Sequence, residues 1–274
     1  MIFTILILTG LLVGFVSSFF GIGGGIITIP ALYNIFPSTA PQTIIGSSLT
    51  MIFFNSVINT ITFVRGGRIP NFKLISIIAL AMLVGSVAGG HLINLLSGTS
   101  IKIIFALLVA FSLFKKIIRG KRHADNLNES FADDLNAIAL IKMIPPAFIA
   151  GLISGITGLG GGIIIIPFFI SFLKMPYRWI PVYSNVAMAV SCFAAVITYS
   201  FFSPPVENNF PLKILDNFQM GQVNLLIVLA LSIGAAIASQ FGASLSNRIS
   251  KKSAEYLFLG LLVFILVKTI IDIV

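Results

Sequence analysis

The chain has 274 residues, 57% of them hydrophobic and 9% charged, with a formal net charge of +9. A soluble domain usually carries about 25% charged residues, so a surface this poor in charge must face lipid or other helices, which excludes a water-soluble globular domain. The positive charge does not point to nucleic acid either, because the 17 Lys and Arg residues sit almost entirely in short breaks between apolar runs, as the positive-inside rule expects.

Apolar runs near or above the ~18-residue length of a membrane helix recur along the whole chain. They are continuous rather than alternating, which predicts helices and not barrel strands. The first five run at roughly 2–20, 22–36, 42–64, 73–96 and 101–118. The first of these lacks the basic n-region and small-residue cleavage site of a signal peptide and reads as a membrane segment. A polar, charged stretch at 120–140, flanked by Lys115, Lys116, Arg119 and Lys142, reads as a cytoplasmic linker. Five more segments follow at about 141–157, 159–173, 179–202, 221–246 and 253–273.

The order of these segments reflects a duplication, with residues 1–119 as a first repeat and 141–274 as a second. Gly14 to Leu32 reads GFVSSFFGIGGGIITIPAL, and Gly151 to Phe169 reads GLISGITGLGGGIIIIPFF. The two stretches agree at 10 of 19 positions at a constant offset of 137. The offset carries Ser47 onto Ser184, Ser48 onto Asn185 and Met51 onto Met188. After an insertion at 202–219 the register resumes, with Gly67 matching Gly221, Gly85 matching Gly234 and Lys102 matching Lys251. Glycine, serine and proline carry the match, so shared hydrophobicity does not explain it.

The charges predict how the repeats are oriented. If each glycine-separated pair of short segments contributes an even number of crossings, fourteen of the 17 Lys and Arg fall on one side. Arg65, Arg68, Lys73, Lys115, Lys116, Arg119, Lys121, Arg122, Lys142, Lys174, Arg178, Arg248, Lys251 and Lys252 belong to that side. The opposite loops keep Lys102 and Lys213. The basic side is then cytoplasmic, both termini lie outside, and the repeats are inverted. The expected fold is an all-α integral membrane protein of two inverted repeats with eight to ten spans. Whether each glycine cluster joins two thin spans or forms one re-entrant hairpin is left open by the sequence. Inverted repeats are a transporter architecture, because alternating access needs two similarly stable arrangements of one packing.

The candidate site lies at the glycine clusters, Gly21, Gly23, Gly24 and Gly25 and their counterparts Gly158, Gly160, Gly161 and Gly162. Each interrupts apolar sequence and is followed by a proline, Pro30 or Pro167. Glycines break the helix, and a fresh helix starting beyond them presents unpaired N–H groups and a positive dipole end. Two such ends near mid-membrane would make a site for a small anion without fixed charge; the alternative is close helix packing through small residues. Ser47, Ser48, Ser184 and Asn185 recur at one repeat position and would complete the oxyanion site. Ser17, Ser154 and Asn55 are further candidates. Cys192, in the slot of Asn55, would contact a sulfur-containing substrate or serve as a packing residue. His91, near one end of the fourth segment, would carry coupled protons or be a polar interfacial end.

No Asp or Glu falls in the middle of an apolar segment, which argues against a carboxylate-lined cation path. No paired carboxylates or metal-ligand cluster suggest an enzyme, a metal site or a cofactor. The expected partners are a small anionic substrate and the bilayer, and a homo-oligomer is compatible with the sequence.

The duplicated G-x-G-G-G-x-x-x-x-P pattern, Gly21–Pro30 and Gly158–Pro167, resembles that of the TauE/SafE family of sulfite and organosulfur-anion exporters, and the resemblance covers nearly the whole chain. It implies a secondary transporter exporting sulfite or a related anion across a prokaryotic cell (inner) membrane. Two other readings stay open: uptake of a sulfur oxyanion such as thiosulfate, and a non-transporting membrane scaffold. The halves differ at Ser48 against Asn185 and at Phe20 against Thr157, so any site is pseudo-symmetric.

Overall fold

A computed structural model describes residues 1–119, 141–173, 175–176, 178–204, 206, 208, 210–246, 259–260, 262–264 and 266–267. The linker at 120–140, most of the segment at 253–273, and Lys174, Glu207, Arg248, Lys251, Lys252 and Glu255 lie outside the described residues.

The described chain is helical apart from one short hairpin. Its α-helices are α1 (Ile2–Phe20), α2 (Gly25–Ile35), α3 (Pro41–Arg65), α4 (Phe72–Leu92), α5 (Gly98–Arg119), α6 (Ile144–Thr157), α7 (Gly162–Ser171), α8 (Ile180–Ile197) and α9 (Leu225–Ser246). A π-turn, Thr198–Phe202, closes α8, and the two-residue strands Gln219–Met220 and Val223–Asn224 pair antiparallel before α9. Among the described residues five helices are long and apolar enough to cross a bilayer: α1, α3, α4 with its 3-10 extension, α8 with its π-turn, and α9. The protein is a multi-pass helical membrane protein.

Local sequence explains where the elements start and stop. Asn71 caps α4, its side chain accepting from the Leu74 amide at 3.2 Å. Asn224 caps α9 in the same way, accepting from Ile227 at 3.2 Å. Side-chain capping satisfies an amide that would otherwise be orphaned in hydrocarbon. The wider π-turn leaves the Tyr199 carbonyl free to accept the Gln222 amide at 2.8 Å, which fastens the 203–224 connection to α8.

Packing is reciprocal between the halves. Helix α1 lies on α9, and α4 lies on α6. Glycines allow the backbones to touch: a Cβ added at Gly14 would strike Ala235, one at Gly234 would strike Ile7, one at Gly151 would strike Met82, and one at Gly85 would strike Phe148. Small residues at membrane helix interfaces maximise van der Waals contact where no hydrophobic force separates helix from lipid. Both pairs run parallel, Gly10 lying on Leu231 and Gly242 on Phe15, Gly151 on Met82 and Gly155 on Ser86.

Two sets of loop contacts mark the two ends of the bundle. At one end the Ala40 amide, ahead of α3, donates to Asn208 Oδ1 at 3.0 Å, and Gln222 Nε2 donates to Asn94 Oδ1 at 3.1 Å. At the other end Arg68 Nη1 donates to the Arg178 carbonyl at 3.3 Å, and the Asn71 amide donates to the Tyr183 hydroxyl at 2.7 Å. Partial burial, and then the neighbouring Arg178 charge, hold the Arg68 guanidinium below its ordinary range.

These contacts decide the question of the short segments. Helix α1 starts at the Asn208 end, as its parallel partner α9 does, and α2 returns to it, with Phe36 packed edge-on against Phe210 at 5.9 Å. Helix α6 starts at the Arg178 end, as α4 does, and α7 leads back toward Arg178. At 1.5 Å per residue α2 and α7 are about 16 and 15 Å long, half of a ~30 Å hydrocarbon core. Each glycine cluster is therefore the tip of a helical hairpin with a half-length second arm, and the two hairpins open toward opposite ends of the bundle.

Candidate functional site

The two hairpin tips share one backbone shape. Helix α1 ends at Gly21 (φ 73°), whose amide returns to the Ser17 carbonyl at 2.7 Å, and α6 ends at Gly158 (φ 73°), bonded to Ser154 at 2.9 Å. Gly23 and Gly24 follow at φ 84° and 90°, and Gly160 and Gly161 at 78° and 79°. Three left-handed residues in four positions need glycine, because a Cβ would collide with the backbone there. Pro30 and Pro167 lie inside α2 and α7 and do not end them.

Beyond each tip the new helix begins with orphaned donors. The first hydrogen bonds of α2 come from Ile27 and Thr28 to Gly24, and those of α7 from Ile164 and Ile165 to Gly161. Among the described residues the amides of Gly25 and Ile26, and of Gly162 and Ile163, find no acceptor. Buried orphan amides at a helix start are what an anion would pair with.

The tips meet each other. A Cβ at Gly25 would strike the Gly158 carbonyl and Leu159, and one at Gly162 would come within 3.0 Å of Ile22. Ile52 and Met188 close the remaining space. A Cβ at Gly23 would lie 2.7 Å from Met188 Sδ and 3.2 Å from Ile52 Cγ2, and one at Gly160 would lie 3.5 Å and 3.0 Å from the same atoms. Both tips are fully buried, and in this conformation Ile52, Met188 and the facing backbones close the seam between them.

The recurring polar residues surround that seam, with unequal duties. The Ser184 hydroxyl donates to the Gly21 carbonyl at 2.8 Å, and the Ser48 hydroxyl donates to the Gly158 carbonyl at 3.1 Å. Each half thus braces the other half's tip. Ser47, the repeat equivalent of Ser184, instead accepts from the Asn224 amide at 3.0 Å and fixes the start of α9. Asn185 donates to the Pro181 carbonyl at 2.7 Å and accepts from Asn59 at 3.2 Å. Asn55 donates to Ser17 Oγ at 2.7 Å. In the other half Cys192 stands where Asn55 does, and the Ser154 hydroxyl is left without a partner. His91 is exposed near the end of α4, among neither tip's contacts.

Sequence reasoning missed Asn59, Ile52 and the closing role of Met188. Asn59 could have been found, since it lies one turn beyond Asn55 on the same face of α3. Asn55 Oδ1, Ser56 Oγ and Asn59 Oδ1, all on that stretch of α3, are buried without a hydrogen-bond partner. Unpaired polar groups at membrane depth are costly, so this row is a reserve of bonding capacity beside the seam.

The profile of the Sulfite exporter TauE/SafE family matches residues 6–269. The chain is similar to the Probable membrane transporter protein YunE of Bacillus subtilis (strain 168), 28% identical over 92% of each chain. It is also similar to the Probable membrane transporter protein MJ0441 of Methanocaldococcus jannaschii, 27% identical over 94% of this chain and 91% of the relative. A Probable membrane transporter protein of Haemophilus influenzae is 29% identical over 68% of each. No solved structure matches the chain.

Proposed function

Because the chain belongs to the sulfite exporter TauE/SafE family, we propose that it is a secondary transporter that carries a small sulfur-containing oxyanion, sulfite or a close relative, out of the cell. The observation that supports this reading is the pair of opposed glycine tips, each starting a half-length helix with orphaned amides. Oriented peptide dipoles bind an anion with no carboxylate or metal at hand.

The closed seam is one state of the cycle in this reading. Parting the tips withdraws Ile52 and Met188, releases the carbonyls of Gly21 and Gly158 from Ser184 and Ser48, and turns both hydroxyls and the amides toward the gap. The anion takes the place of the lost bonds, and re-closure behind it exposes the other end of the bundle. Inverted halves give the inward- and outward-open forms similar energies. With the Arg68 and Arg178 end cytoplasmic, an inside-negative potential favours anion exit by about 2.3 kcal/mol per charge per 100 mV.

The test is sided flux of sulfite, thiosulfate, sulfoacetate and sulfate by purified protein in liposomes, with a potential imposed in either direction. Sulfite efflux well above protein-free liposomes, faster when the loaded side is negative, is the expected result. Flux confined to thiosulfate entry would replace export by uptake, and no flux of any of the four would leave a scaffold.

A further inference from the structure

Away from the seam a small cavity lies on the Asn208-end side of the Gly158 tip, between Ile29, Pro30, Tyr33, Lys102, Phe105 and Thr157, with about 20 Å³ of room. That suffices for one water molecule. Lys102 stands one turn into α5, its Nζ 5.1 Å from the centroid of the Tyr33 ring. The Tyr33 hydroxyl is buried and has no hydrogen-bond partner. Thr157 is the last residue of α6, directly before Gly158, and its hydroxyl donates to the Ile153 carbonyl at 2.7 Å.

The donor inventory decides what such a cavity takes. An ammonium brings three N–H donors and a phenol brings one O–H, while no lining residue is acidic. Contact with the aromatic face would account for the lysine alone. It does not account for a phenolic hydroxyl buried without a partner beside it, since such a group is destabilising unless something pairs with it.

We propose that Lys102 and Tyr33 form a subsite for one oxyanion group, a waystation between the Gly158 tip and the Asn208 end of the bundle. It rests on the transport reading above in that the group arriving there is the transported anion. One oxygen occupies the cavity, accepting from Tyr33 Oη and Lys102 Nζ. Thr157 ties the subsite to the tip, so emptying it and closing the tip are adjacent events.

The experiment is calorimetric titration of purified protein in uncharged detergent with sulfite under anaerobic conditions, and separately with phosphatidylglycerol. Wild type, Lys102→Gln, Lys102→Arg and Tyr33→Phe are compared, alongside sulfite flux in liposomes. Loss of a charge-assisted hydrogen bond predicts sulfite binding roughly tenfold weaker in Lys102→Gln. Tyr33→Phe should weaken it roughly fivefold, Lys102→Arg should stay near wild type, and the KM on the Asn208 side should rise with the Kd. Dependence on Lys102 and Tyr33 for phosphatidylglycerol alone would assign the subsite to a lipid phosphate. Binding of both probes unchanged in Lys102→Gln and Tyr33→Phe overturns the subsite, whatever the flux. Wild-type binding that needs Lys102 but brings no flux overturns the transport reading and leaves the subsite standing.

Discussion

The Ser184 hydroxyl in α8 donates to the carbonyl of Gly21, at the hairpin tip of the other half, over 2.8 Å. Ser48 in α3 makes the converse bond to Gly158 at 3.1 Å. Both join elements that must separate if the seam opens, so they hold the closed state more than the fold. Replacing both serines by alanine should leave insertion intact and lower thermal stability slightly. Interhelical bonds in membranes average about 0.6 kcal/mol and reach about 1.7. Sulfite flux should change by roughly tenfold in either direction, the ratio corresponding to ~1.4 kcal/mol. Unchanged flux in a well-folded double variant would mean that the serines take no part in the cycle.

The interhelical glycines should answer differently. Alanine at Gly151 or Gly85 forces a methyl into the backbone of Met82 or Phe148, and overpacking costs about 1–3 kcal/mol. Both variants should lose monodisperse protein and melt earlier in detergent, by light scattering and thermal denaturation. Gly66, with φ −77° and nothing nearer than 3.3 Å to its added Cβ, should accept alanine with little change. Equal losses at all three positions would contradict glycine-mediated packing.

Asn55 and Cys192 occupy matching positions with opposite consequences. Asn55 satisfies Ser17 at 2.7 Å, whereas the Ser154 hydroxyl is buried without a partner. Cys192→Asn should therefore give Ser154 its missing donor and raise the melting temperature, by about 0.6 kcal/mol of stability. Ser154→Ala should abolish that gain. A gain that survives in the double variant would refute the pairing.

Much of this arrangement was legible in the sequence. The repeated G-x-G-G-G pattern located both helix breaks, because a run of left-handed residues leaves a glycine signature that apolar packing does not mask. The 137-residue offset also brought Ser48 and Ser184 to notice. It could not show that Ser47 fastens α9 while its equivalent Ser184 reaches Gly21. That difference depends on which way one helix face turns toward the 203–224 connection, which carries the insertion at 202–219 present in only one half. The closing of the seam was equally hidden, since Ile52 and Met188 are apolar residues among many and only their position between the tips distinguishes them. The hairpin question needed long-range contacts such as Phe36 with Phe210, which no local pattern encodes.

The proposed orientation, with the Arg178 end cytoplasmic, can be tested directly. With Lys73 exposed at the Arg178 end and Lys213 exposed at the other, Lys213→Cys in a Cys192→Ser background should react with an impermeant maleimide in intact cells. Lys73→Cys should react only after permeabilisation. Cys192 is the one cysteine of the sequence, so the Cys192→Ser background should stay silent. The reverse pattern would invert the proposed topology.

The most direct test joins the two residues that close the seam. Ile52 and Met188 approach the same two glycines from opposite halves, so Ile52→Cys and Met188→Cys, combined with Cys192→Ser, can be bridged by a short thioether cross-linker. Sulfite flux in liposomes is then compared with that of each single-cysteine variant given the same reagent. Loss of flux in the bridged protein alone is the predicted result. Undiminished transport with the two halves tied together there would contradict passage of the anion between the glycine tips.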